Sequence, residues 1–194
     1  MASPAPLLRG PFCFLRHGET EPNRLGLIAG STDVPLNDTG FEQARAAARL
    51  LANVGIDAIY SSPLRRARET ADIAAQALRL PVTVIPEIAE RNWGELEGRP
   101  RAERVRGVTP PGAETLEAFT ARTLAGLARV REGHRLPLVV AHSGTFRVLC
   151  AHLAIAAPEQ PVENSRPLRF VPPAGGRSWR IVPCGDKAAR DDSL

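Results

Sequence analysis

Short apolar runs alternate with amphipathic stretches along most of this chain, and the alternation predicts its elements. Phe12-Cys13-Phe14-Leu15 reads as a buried strand that ends at Arg16-His17-Gly18. An irregular segment follows from Gly26 to Asn37, after which Phe41, Ala44, Ala48 and Leu51 recur at helical spacing, with Asn37 or Thr39 as the cap. Ala58-Ile59-Tyr60 predicts a second strand. Ser62 suits an N-cap and Pro63 a first helical position, for a helix that runs to about Leu80 and stops at Pro81. The β-branched run from Val82 to Ile85 is a third strand. A helix near Glu114 to Glu132 would turn Leu116, Phe119, Thr123, Leu127 and Val130 inward. Leu136 to Ala141 predicts a fourth strand closing at His142-Ser143-Gly144, and the next helix, from Thr145, carries Phe146, Leu149, Cys150 and Leu153. Leu168-Arg169-Phe170-Val171 and Trp179-Arg180-Ile181-Val182 read as two last strands before a polar tail expected to fray. The Arg- and Pro-rich stretch from Arg99 to Gly112 reads as a loop.

Strands alternating with helices predict an α/β protein, a three-layer α/β/α sandwich with a mainly parallel central sheet. In such sheets the working site lies outside the carboxyl ends of the strands. Arg16 and His17 close the first strand, Ser61 to Arg65 follow the second, Glu90 follows the third, and His142 closes the fourth. Four polar clusters therefore fall on one rim.

Composition narrows the class. A chain of 194 residues with 43% hydrophobic content suits one domain, with a core from about 11 to 183 and a polar tail from about 184 to 194. No apolar run approaches a membrane span, and the opening Met-Ala-Ser-Pro-Ala-Pro lacks the blocks of a signal peptide, so the expectation is a cytoplasmic protein without a membrane partner. The net charge of +4 comes almost wholly from arginine, Lys187 being the one lysine. Basic residues interleaved with aromatics are missing, which argues against a nucleic-acid partner and leaves anionic small molecules. Cys13, Cys150 and Cys184 are too few and too scattered for a disulfide framework or a zinc site; they read as two buried thiols and one in the tail. Cys184 and Arg190 match the bare spacing of a cysteine phosphatase, but only four residues remain after Arg190 for the helix that motif needs.

The rim suits phosphoryl transfer. Displacement at phosphorus needs positive donors around the equatorial oxygens, which Arg16, Arg65 and a protonated His142 can supply. His17 would be the nucleophile, and Glu90 would protonate the leaving oxygen and later take a proton from water. Glu87, Glu95 and Glu97 stand nearby, but the spacing to Trp93-Gly94 favours Glu90. Arg66 and Arg68 read as exposed helix residues, His134 and His152 as structural. Fixed cations leave no evident need for a metal or another cofactor.

Arg16-His17-Gly18-Glu19-Thr20 with Asn23, Asp33-Val34-Pro35-Leu36 with Thr39-Gly40, and Ser61-Ser62-Pro63-Leu64-Arg65-Arg66-Ala67 with Glu69-Thr70-Ala71 form one ordered set of motifs. It continues through Glu90 with Trp93-Gly94-Glu95 and Glu97-Gly98, Pro111-Gly112-Ala113-Glu114-Thr115, and Val139-Val140-Ala141-His142-Ser143-Gly144. From about residue 12 to 150 the chain resembles the histidine phosphatase superfamily, also called the phosphoglycerate mutase-like family. The resemblance implies that fold, a phosphorylated His17, Glu90 as proton donor, and Arg16, Asn23, Arg65 and His142 as phosphate holders. Ser143, where many members have glycine, joins the substrate-binding set, and Ala113 replaces a common second glycine.

A mutase of this family carries a long insertion between the glutamate and the second histidine, whereas 51 residues lie between Glu90 and His142 here. The reading is therefore a metal-independent phosphomonoester phosphatase acting on a small anionic ester. The alternatives are a 2,3-bisphosphoglycerate-dependent phosphoglycerate mutase and a phosphate-ligand binding protein without turnover. A homodimer through a C-terminal edge strand is a further expectation.

Overall fold

The computed structural model describes residues 9–130, 133–156, 162–173 and 178–184. Strand β1 (Phe12–Arg16) leads through the short helix α1 (Glu21–Arg24) to α2 (Asp38–Leu51) and β2 (Ala58–Ser61). Helix α3 (Arg65–Leu78) and β3 (Val82–Val84) follow, then 3-10 turns at Pro86–Ile88, Gly94–Leu96 and Arg101–Glu103. The remainder comprises α4 (Leu116–Leu127), β4 (Pro137–Ala141), α5 (Ser143–His152), β5 (Leu168–Val171) and β6 (Arg180–Pro183).

The six strands form one sheet in the order β3-β2-β4-β1-β5-β6. β1 to β4 are parallel to one another, β5 runs antiparallel to β1, and β6, at the outer edge, runs antiparallel to β5. The pleat sends alternate residues to opposite faces, and both faces are covered. Phe12, Phe14, Val139 and Ala141 pack with Leu127, Phe146 and Leu149 on the α4–α5 side. Cys13, Leu15, Leu138 and Val140 pack with Ala47, Leu51, Ala67 and Ala71 on the α2–α3 side. This double burial explains why β1 and β4 read as continuous apolar runs rather than alternating ones. The expected three-layer sandwich is present.

Local corrections have physical causes. Ser62 and Pro63 precede α3 rather than cap and open it: Leu64 is at the cap position without a side-chain bond, and the Ser62 hydroxyl meets the Leu64 amide and His142. α3 ends two residues early, with Arg79 in the left-handed conformation. α4 begins only at Leu116, capped by Thr115, and Leu116 is 55% exposed rather than part of the core. Cys184 is not a tail thiol: it is buried with its Sγ 2.9 Å from the Sγ of Cys13. Arg190 and the rest of the tail lie outside the described residues. No helix among the described residues is long and apolar enough to cross a membrane.

The loop after β1 is held against α2 by two glycines whose backbones nearly touch. A Cβ on Gly40 would lie 2.1 Å from the Glu19 carbonyl oxygen, and one on Gly18 would lie 2.4 Å from the Gly40 carbonyl oxygen. Neither obstacle is a side chain that can swing aside. Gly40→Ala is expected to destabilise the fold by about 2–3 kcal/mol, read as a lower urea midpoint, whereas Gly10→Ala, where a Cβ meets nothing within 4 Å, should leave the midpoint unchanged.

Candidate active site

The strand register brings the two histidines together. Arg16 pairs with Ala141 across parallel β1 and β4, so the next residue on each strand, His17 and His142, leave the sheet side by side. The His17 amide donates to the Ala141 carbonyl at 3.0 Å, and the imidazole centroids are 5.2 Å apart. Both side chains are buried.

Each ring has a defined neighbour. Nδ1 of His17 lies 2.7 Å from the Gly18 carbonyl oxygen, which can only accept, so Nδ1 carries the proton and Nε2 keeps its lone pair. Nε2 of His142 lies 2.7 Å from Ser62 Oγ, which itself accepts from the Leu64 amide at 3.3 Å. A Ser62 hydroxyl donating to Nε2 leaves the proton of His142 on Nδ1, and that buried nitrogen has no hydrogen-bond partner among the described residues. Burial, then Arg66 and Arg16, hold the His17 imidazole well below its usual pKa despite the bond to Gly18. Burial, Arg66, His17 and Arg16 do the same to His142. The expected protonated His142 is therefore corrected: in the free site it is neutral, since a cation there would be desolvated beside two guanidinium groups.

Arg16 is buried and donates from Nη1 to the Val162 carbonyl at 2.7 Å. Burial and the nearby Arg101 push its pKa down to about 10, against the opposing influence of Glu90. The second guanidinium of the site is not the one expected. Arg65 points to solvent, its side chain 60% exposed and paired with Glu69 at 2.8 Å. Arg66 is buried instead and lines the cavity, donating to the Thr32 carbonyl at 2.8 Å and the Gly30 carbonyl at 2.7 Å. Helical periodicity decides between them, because Arg66 shares the inward face of α3 with Ala67, Thr70, Ala71 and Ala74. Arg65 falls on the outward face with Glu69.

A cavity of about 750 Å³ opens over these groups, and its lining includes Arg16, His17, Asn23, Arg66, Glu90 and Ser143. Glu90 is steered into it by two backbone donors, Arg91 N at 2.8 Å and Gly144 N at 3.0 Å. A side chain at residue 144 would collide with it, since a Cβ there would sit 2.1 Å from Glu90 Oε1. The neighbouring glutamates have other tasks. Glu87 pairs with Arg129 at 2.7 Å, and Glu97 receives Ser31 N, Ser31 Oγ, Thr32 N, Thr32 Oγ1 and Trp93 N.

Three supporting residues had no assigned role in the sequence reading. Glu97 shapes the turn whose carbonyls hold Arg66. Thr70 Oγ1 accepts from the Gly18 amide at 3.0 Å and donates to the Arg66 carbonyl, joining the histidine loop to α3. Asn164 donates to the His17 carbonyl at 2.8 Å and to Asn23 Oδ1 at 3.3 Å, which leaves the Asn23 amide nitrogen as a donor for the cavity. Thr70 and Glu97 belong to the motif stretches 61–71 and 90–98, whereas no sequence pattern marks Asn164. His152, read as structural, lies on the cavity wall.

A family model described as "Histidine phosphatase superfamily (branch 1)" matches residues 12–167. The chain belongs to this superfamily. It is 38% identical to the uncharacterized phosphatase PhoE of Bacillus subtilis, over 76% of this chain and 79% of that protein. It is 33% identical to the adenosylcobalamin/alpha-ribazole phosphatase of Escherichia coli, over 72% of this chain and 76% of that protein. A solved structure of a mycobacterial glucosyl-3-phosphoglycerate phosphatase in complex with VO3 superimposes with a TM-score of 0.74 at 26% identity, covering 89% of this chain and 97% of the other. These relatives are named as phosphatases, in agreement with phosphoric monoester hydrolase chemistry.

Two measurements test the site as built. Arg66→Ala should lower kcat/KM by about 100- to 1,000-fold, while Arg65→Ala, which removes a surface pair, should change it by less than about threefold. The histidines also set a pH dependence of stability. They are neutral when folded but take up protons when unfolded below about pH 6.5, so the unfolded state binds more protons there. Stability is complete above that pH and falls as the pH drops, by up to about 1.4 kcal/mol per unit for each histidine. Urea titrations at several pH values between 7.5 and 5.5 should show this slope, and a His142→Asn variant should show roughly half of it.

Proposed function

We propose that this protein hydrolyses phosphate monoesters through a phosphohistidine at His17, with arginines rather than a metal supplying the positive charge. The observation that carries the reading is the geometry at His17, whose Nδ1 lies 2.7 Å from the Gly18 carbonyl and whose burial near Arg66 and Arg16 holds its pKa well below the usual value, so that Nε2 keeps its lone pair. That is the form an imidazole must have to attack phosphorus.

The ester's phosphoryl oxygens would bind to the guanidinium donors of Arg16 and Arg66, the amide of Asn23, and the unpartnered Nδ1 of His142 and Oγ of Ser143. Arrival of a dianion reverses the local electrostatics, and His142 can then hold a proton and share the charge. His17 Nε2 forms a bond to phosphorus while the bond to the leaving oxygen breaks, and a protonated Glu90 gives its proton to that oxygen. In the second half Glu90, now a carboxylate, takes a proton from water. The resulting hydroxide attacks phosphorus, the P–N bond breaks, and inorganic phosphate leaves with His17 restored.

His17→Ala should abolish both turnover and acid-labile labelling by phosphate, a rate loss of roughly 10⁴-fold or more. Glu90→Gln should behave differently with different leaving groups. Alkyl phosphates, which need the proton, should slow by about 100- to 10,000-fold. p-Nitrophenyl phosphate should still phosphorylate His17 and leave the label in place, because water is no longer activated. Labelling that persists in His17→Ala would overturn the mechanism. Isomerisation of 3-phosphoglycerate outpacing phosphate release would instead favour the mutase.

A further inference from the structure

Away from the cavity, the fold brings together two thiols that the proposed chemistry does not use. Cys13 stands on β1 and Cys184 directly follows β6, 171 positions later, with their Sγ atoms 2.9 Å apart. Both are buried and neither is in a disulfide. They share the α2–α3 face of the sheet with Leu15, Ala47, Leu138 and Val140. Cys150 lies in the apolar cluster on the opposite face.

The contact reaches across a strand. β5 lies between β1 and β6 in the sheet, yet the Cys184 side chain meets β1. The Cys184 backbone is fixed just ahead of β5, where its amide donates to the Pro167 carbonyl at 2.9 Å. One thiol can donate to the other, so the pair satisfies itself within an apolar layer. The contact with Cys184, and burial after it, raise the Cys13 thiol well above its ordinary pKa. In the closed fold Cys13 is therefore protonated and unreactive, since the thiolate is the nucleophile.

We propose that Cys13 and Cys184 form a reversible disulfide, a covalent staple between β1 and the end of β6. A disulfide holds its sulfurs at about 2.0 Å, so each has only about half an ångström to move. Reaction begins when β6 opens. That strand is at the sheet edge, bonded to β5 alone and exposed at both its ends, and such elements open locally ahead of a core. Opening removes both causes of the raised Cys13 pKa. The Cys184 thiol loses its proton and attacks the S–S bond of a low-molecular-weight disulfide, expelling one half as a thiolate. The Cys13 thiolate then attacks the Cys184 sulfur of this mixed disulfide, the new S–S bond forms, and the second half leaves. Each cysteine has given up one proton and one electron, and the reagent has become two thiols.

The staple bears on the active site through the segment ahead of β5. There the Val162 carbonyl accepts from Arg16, the Ser165 amide donates to the Arg16 carbonyl at 3.0 Å, and Asn164 donates to the His17 carbonyl. A Cys13–Cys184 bond fastens the chain beyond this segment back to β1, so that opening of β6 no longer loosens it.

The test holds the full chain near its urea midpoint, where buried thiols are repeatedly uncovered, with reduced or with oxidised glutathione, and then returns it to buffer. Thiols are counted by maleimide labelling in denaturant. The reduced protein should take three labels and the oxidised protein one, at Cys150, with an intact mass lower by about 2 Da before labelling. A digest should join the peptide of Cys13 to that of Cys184. The oxidised form should melt about 5–12 °C higher than the reduced form, and dithiothreitol should abolish the difference. Cys184→Ala should lose the rise and Cys150→Ala should keep it; because each variant is compared with itself in two redox states, any general change in stability cancels. Three labels after oxidation, a lasting glutathione adduct in place of the cross-link, a bond to Cys150, or a cross-link without a higher melting temperature would each overturn the staple. None of these readouts depends on phosphatase activity.

Discussion

The site depends on burying two guanidinium groups without giving them carboxylates. Arg16 donates to the Val162 carbonyl and Arg66 to those of Thr32 and Gly30, so both are anchored by dipoles, with carboxylates such as Glu90 acting on them only from a distance. A charge buried in this way is costly unless it is hydrogen-bonded, and carbonyl partners supply the bonds while preserving the field. Burial first, and the guanidinium groups of Arg66 and Arg16 after it, hold both imidazoles well below their usual pKa.

Holding such a field fixed requires rigid carbonyls, and the surrounding structure provides them. The Gly30–Thr32 turn is clamped by the Glu97 carboxylate, which collects backbone and hydroxyl donors from both Ser31 and Thr32. Gly30 sits so close to Glu97 that a Cβ would lie 2.1 Å from Oε1, so the clamp needs a glycine there. On the other side the parallel register of β1 and β4 sets the separation of the histidines, and the Gly18–Gly40 contact fixes the direction in which the loop leaves the sheet. Glu90 is aimed by main-chain donors on two separate segments, Arg91 and Gly144.

Much of this was legible in the sequence, for identifiable reasons. Strands buried on both faces leave continuous apolar runs, so β1 and β4 stood out, and with them the chemistry at their ends. His17, Glu90, His142, Arg16, Asn23 and Ser143 all meet at the cavity, His142 lying beside His17. Adjacency to the strand end favours Arg65, whereas helical phase favours Arg66. The phase was available: Arg66, Thr70 and Ala74 repeat every four residues with Ala67 and Ala71 beside them, whereas Arg65 pairs with Glu69 one turn on. Cys184 and Asn164 were beyond reach for another reason. Their partners, Cys13 and His17, are far away in sequence, and no local pattern encodes a contact of that kind.

The floor and the rim of the cavity are built by different means, and this separates the reaction from the choice of leaving group. Floor residues stand at strand ends or on the inward face of α3, where the sheet register leaves little room to move one without moving the others. Rim residues come from the exposed segment around the 3-10 turn at Arg101–Glu103 and from the outer turns of α4 and α5. That segment is tied to the body mainly by main-chain bonds, such as Ile28 N to the Arg99 carbonyl and Arg101 N to the Gly26 carbonyl, which do not depend on side-chain identity. Its side chains can therefore change without disturbing the sheet or the histidines. Under the hydrolase reading proposed above, such a division would let the floor keep one phosphoryl chemistry while side chains of the exposed segment change.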